Sequence, residues 1–136
     1  MSYGAAQALQ VAVYQQLATD PTLTGLVGSA IYDTLPGGIL PPVYVTLGPE
    51  LARDKSDKTG SGAEHEFTVS VVTETAGFST AKAAAAAVSD ALVDAPLVLA
   101  RGSLVSLNFY RATAQRIGTG DQQQINLVFR ARIDVA

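Results

Sequence analysis

The chain has 136 residues, 48% of them hydrophobic, which is enough for one domain with a buried core and too little for two ordinary ones. It holds no cysteine, so disulfides, thiolate nucleophiles and cysteine-ligated zinc or iron–sulfur sites are excluded, and the compartment is left open with a lean to the cytoplasm. Nine basic residues against twelve acidic ones give a net charge of -3, without the positive excess that sequence-independent nucleic-acid binding requires.

Only 15% of the residues are charged, against roughly 25% in an average soluble domain, and 22 are alanine. Filling one core from such a composition leaves moderately apolar surface over, and such surface favours assembly. The longest apolar runs are strand-sized or alanine-rich. The opening MSYGAAQALQ has neither a basic nor a continuously apolar region, so no membrane span or export signal is predicted.

From Tyr3 to Ala18, Ala6, Leu9, Val13 and Leu17 recur at spacings of three and four while Gln7, Gln10 and Gln15 lie off that stripe, which predicts an amphipathic helix. Pro21 should end it near Thr19. A short turn through Leu23, Leu26 and Val27 follows, closed by Gly28. Ala30 to Asp33 reads as a short strand, the prolines and glycines from Leu35 to Pro42 as an irregular crossing, and Val43 to Leu47 as a second strand. Gly48 to Gly62 reads as the one long loop, so the expected organisation is a single domain over 1–136 with a long mobile loop at 49–63.

Glu64 to Thr73 alternates, with Phe67, Val69 and Val71 on one face and Thr68, Ser70 and Val72 on the other. Ser79 is placed to cap a second helix running to about Asp94, with Ala84, Val88, Ala91, Leu92 and Ala95 as its buried stripe and Pro96 beyond it. Ser103 to Arg116 and Gln122 to Asp134 read as two long strands joined by a hairpin at Gly118-Thr119-Gly120-Asp121. In the last strand Ile125, Leu127, Phe129, Ala131 and Ile133 share one face. The predicted class is α+β, a mixed or antiparallel sheet of about four to five strands with two helices packed on one face.

Catalytic chemistry finds little to work with. His65 stands alone between Glu64 and Glu66, which fall on the opposite strand face, so it is expected to be exposed and replaceable without loss of fold. Lys55, Lys58 and Lys82 have nothing to desolvate them as partners of a serine nucleophile. Gly60-Ser61-Gly62 and Gly118-Thr119-Gly120 open no helix and carry no phosphate-binding lysine, so they read as turns. Asp90 and Asp94 share a helix face away from the buried stripe and read as solvated. No catalytic residue, metal ligand or cofactor site is expected.

One asymmetry points to association. Residues 1–48 carry Asp20 and Asp33 and no base, whereas residues 103–136 carry Arg111, Arg116, Arg130 and Arg132 against Asp121 and Asp134. Opposite signs on two parts of a domain suit head-to-tail contact with further copies. With the alternating charges of the long loop, the candidate interface residues are Arg53, Asp54, Lys55, Asp57, Lys58, Arg111, Arg116, Arg130 and Arg132.

Ile31-Tyr32-Asp33, Pro36 and Pro42-Val43-Tyr44-Val45-Thr46-Leu47-Gly48 resemble the tail-completion, or tail-terminator, family of long-tailed bacteriophages and the related gene transfer agents, most closely a gene transfer agent tail terminator. The likeness extends through the Leu17 to Pro21 helix ending, the strand at Phe67 to Val72, the helix at Ala81 to Leu92 and the closing Phe129-Arg130-Ala131-Arg132. The resemblance implies a non-enzymatic homohexameric ring that caps the tail tube, ends tube polymerisation and docks to the neck or stopper protein, with DNA passing through its lumen. It implies assembly in the cytoplasm and residence at the tail–neck junction, with no membrane contact. The alternatives are a neck adaptor, a tail-tube subunit or, in another class, a small-ligand-binding α+β domain.

Overall fold

The computed structural model describes residues 3–56, 61–74, 78–118 and 122–134. Three helices, α1 (Ala6–Ala18), α2 (Pro21–Val27) and α3 (Ser79–Leu92), pack on a five-stranded sheet of β1 (Ile31–Tyr32), β2 (Val43–Asp54), β3 (Gly62–Thr73), β4 (Ser103–Ile117) and β5 (Gln122–Asp134). The strand order is β1-β2-β3-β5-β4. β1 runs parallel to β2 and every other neighbouring pair is antiparallel, so the sheet is mixed.

The alternation read in β3 and β5 determines the buried face. Phe67, Val69 and Val71 join Ile125, Leu127, Phe129, Ala131 and Ile133 beneath Leu9, Val13 and Leu17 of α1, Leu23 and Val27 of α2, and Ala84, Val88 and Leu92 of α3. Small side chains on α3 let its backbone approach the sheet closely, and Ala81, Ala84, Ala85, Ala87 and Ala91 are all buried. On the other face Ala30, Tyr44 and Val72 form a small satellite cluster with Tyr32 and Leu40 against it.

Several boundaries differ from the expectation. The predicted turn after Pro21 is helical, because Pro21 occupies the first helical turn and the Asp20 carboxylate accepts the Leu23 N–H at 2.9 Å, leaving Gly28 at φ 63 as the stop. Ser79 is the first residue of α3 and does not cap it; the cap position is Phe78, with no side-chain cap bond. α3 ends at Leu92, and Asp94 leaves the helix at φ 57 with its N–H donated to the Leu107 carbonyl at 3.0 Å, so Asp90 and Asp94 share no helix face.

The expected loop at 49–63 is much shorter, because Pro49 falls where the β2–β3 ladder shifts between Leu47 and Glu50 and pairing resumes through Asp54↔Ala63. A proline is tolerated at such an interruption, and strand residues with one wet face need no apolar alternation. Of the loop itself, 57–60 lie outside the described residues, as do 119–121 of the β4–β5 hairpin. Gly102, at φ +82, is a position where only glycine fits, since a Cβ there would lie 2.9 Å from Ile133.

Candidate functional site: the outer sheet face and its flanks

The face of the sheet turned away from the helices carries a charge network that crosses four strands. Arg53 of β2 reaches Glu66 of β3 at 2.8 Å and Glu64 at 3.5 Å, and Arg130 of β5 reaches the same Glu66 oxygen at 3.0 Å. The Arg130 guanidinium lies 3.5 Å from the ring centroid of Tyr110 on β4. Strand register dictates this grouping, because Arg53 is paired with Glu64 and Glu66 with Arg130. Both arginines are therefore engaged by carboxylates of their own chain, and with Arg130 held in this way the charge asymmetry available to a neighbour is smaller than the sequence suggests.

The other candidate residues are dispersed. Arg132 donates to the Lys55 carbonyl at 3.0 Å, and the Lys55 N–H donates to the Gly62 carbonyl at 2.8 Å, which together close the base of the loop. Asp54 accepts both the Ser56 N–H and hydroxyl, at 3.0 and 2.6 Å, and these bonds hold its carboxyl below the usual range. Arg111 is exposed on β4, opposite Val128 on the outer face. Arg116 is also exposed but belongs to the helix side, opposite Gln123, with its guanidinium 5.5 Å from the Phe78 ring. Asp57 and Lys58 lie outside the described residues.

The expectation for His65 is overturned: it is 0% exposed. It shares the parity of Phe67, Val69 and Val71, so it points into the helix side, where its Nδ1 lies 3.4 Å from Glu50 and its ring 6.1 Å from that of Tyr3. With the proton on Nδ1 the ring donates to Glu50, and Nε2 is buried with no hydrogen-bond partner among the described residues. The Tyr3 hydroxyl donates to the other Glu50 oxygen at 2.7 Å, which raises its pKa above the ordinary 10.0. That contribution to folding is present below the ordinary phenol range and is lost as pH rises through the raised value.

A buried Nε2 offers no route for a proton to a bound solute, so this trio ties the start of α1 to the sheet. His65→Ala is accordingly expected to destabilise the fold by about 2–4 kcal/mol, through the cavity left by the ring. Urea denaturation measures it, and an unchanged midpoint contradicts the packing role. Beside the trio, α1 and the chain after β1 border an open groove of about 730 Å³ lined by Tyr3, Gln10, Tyr14, Tyr32 and Asp33 among others. Gln10 donates to the Asp33 carboxylate across it. Among the described residues, no group of His, Asp and Glu side chains is arranged to hold a metal ion, and no helix is long and apolar enough to cross a membrane.

The helix-covered mixed sheet and its charged outer face define a small α+β domain whose distinguishing features lie on its surface. The chain belongs to the family described as tail completion protein gp17, whose model matches residues 11–134. Among solved structures it is similar to a chain of the "Virion of native gene transfer agent (GTA) particle", at 61% identity and a TM-score of 0.93, covering 98% of this chain and 99% of that one. Comparison with curated protein sequences finds no match.

Proposed function

We propose that this protein terminates the tail of a phage-like particle, as a hexameric ring that caps the tail tube, stops its polymerisation and presents the surface to which the neck docks. The observation that carries this reading is the similarity, over 98% of the chain, to a component of a native gene transfer agent virion. Membership of the tail completion family supports it, and so does a sequence in which only 15% of the residues are charged. The ring's partners are its own copies, the tail tube protein and the neck or stopper protein.

DNA passes through the lumen in transit. Subunits that each carry -3 repel phosphate and allow it to slide. Assembly takes place in the cytoplasm, and the finished ring resides at the tail–neck junction. The remaining exposed arginines and the 55–61 connection serve contacts between subunits or with the tube, and the protein has no catalytic role.

Particles made without this protein are expected to carry tails of irregular or excessive length, or tails unattached to heads, by electron microscopy. Joined tails of normal length contradict the assignment. Counting subunits in complete particles tests the ring itself, and five or twelve copies contradict it. A tail-tube subunit differs in stacking through both ring faces, so growth of purified protein into long tubes would favour that alternative.

A further inference from the structure

The two ends of the sheet carry unlike apolar features. At the β1–β2 end, every residue from Asp33 to Ile39 is exposed, and Ile39, behind Gly37-Gly38, is exposed to 101%. Leu40 beside it is packed against the satellite cluster, so the segment is anchored at its base and offers Ile39 and the half-exposed Leu35 outward as a knob. At the opposite end β4 is the edge strand, and α3 packs mainly on β3 and β5 and meets β4 less. Ala112 and Ala114 face the helix side, opposite Leu127 and Ile125, yet both are exposed. With Ala85, Ala86 and the 45% exposed Phe109 they line an open groove of about 310 Å³.

We infer that the Leu35–Leu40 knob of one copy seats in the α3–β4 groove of the next. The inference rests on the ring reading above and specifies its subunit contact. Four interstrand spacings of about 4.8 Å separate the two features, roughly 19 Å, so a knob cannot fill the groove of its own chain. Because the two patches differ and lie at opposite ends of the sheet, the contact is heterologous, and successive copies propagate it until a ring closes.

Charge agrees with the pairing. The knob is flanked by Asp33 in a stretch without bases, whereas the groove is bordered by Lys82, with Arg116 nearby, their charged groups 5.8 and 5.5 Å from the Phe78 ring. Asp90, exposed on α3, is not among the residues that line the groove. An exposed aliphatic knob and an exposed apolar groove each leave surface in water that the contact removes.

The absence of cysteine makes the test direct. Ile39→Cys and Ala112→Cys are combined in one chain, both at exposed positions, and assembled particles are treated with a short bismaleimide. A ladder of crosslinked species ending at six subunits is expected, with neither single variant giving a ladder. If six copies form a ring but only uncrosslinked subunits or dimers appear, the knob-in-groove contact is overturned while the ring stands. A ladder that continues beyond six supports the contact and overturns the hexamer. Ile39→Asp is expected to lower incorporation into particles by roughly ten- to a hundred-fold, and Ile39→Leu to preserve it; incorporation unchanged by Ile39→Asp overturns the contact.

Discussion

Phe129→Ala is expected to destabilise the protein by about 3–5 kcal/mol, a large part of the roughly 5–15 kcal/mol that a domain of this kind has in total. Phe129 is fully buried at the middle of β5, in register with Phe67 on one side and Phe109 on the other. Its ring stacks on Phe67 at 5.6 Å and meets Phe109 edge-on at 5.9 Å, so truncation empties the space between two further aromatics. Backbone pairing on both sides of β5 resists collapse into that space, which places the cost towards the upper end of the range. The measurement is the urea midpoint at unchanged slope, with Phe129→Leu as the milder comparison. A midpoint equal to that of the parent protein contradicts the position of this ring in the core.

Replacing residues 51–61 with a short glycine-serine linker is expected to cost at least about 2 kcal/mol, where a surface loop of that length would tolerate exchange. The replacement removes the pairings of Leu51, Ala52, Arg53 and Asp54 with β3, and with Arg53 it removes one cation from the shared Glu64–Glu66 site. Ala52 is the strand partner of His65, so the loss also unroofs the buried imidazole. Exchanging only residues 57–60 for glycine and serine is expected to change stability by no more than about 0.5 kcal/mol. Thermal and urea denaturation of both variants checks the contrast. Equal, small effects contradict the extension of β2 to Asp54, whereas impaired tail capping by the shorter exchange alone assigns the loop a role in assembly.

The elements with strong local periodicity were legible in the sequence. The inward set of β5, from Ile125 to Ile133, and the stripes Leu9, Val13, Leu17 and Ala84, Val88, Leu92 lie in the core as their spacing requires, since the periods of 2 and 3.6 are properties of the local backbone. His65 was legible in principle by parity with Phe67, but it was weighed only against Glu64 and Glu66, whose place on the opposite strand face left it without a partner and read as exposed. The alternation that turns those glutamates to the arginines of the outer face turns the histidine into the buried one. The resemblance carried by residues 31–48 identified the family that the comparisons then showed.

Only the tertiary structure decided the features that depend on strand partners. β2 continues past Leu47 because β3 is there to pair with it and because Arg53 meets Glu64 and Glu66 across the ladder, whereas the residues 49–54 taken alone have the composition of a loop. Arg130 is paired with Glu66 of β3, far away in sequence, so how much of its charge faces outward was not a local property. The order β1-β2-β3-β5-β4 puts the last strand inside and its hairpin partner at the edge, and this inversion sets the exposed alanines of β4 at the opposite end of the sheet from Ile39. Composition determined that apolar surface would remain after the core was filled. Where it remains was decided by pairing and register, which link residues too distant in the chain for any local pattern to encode.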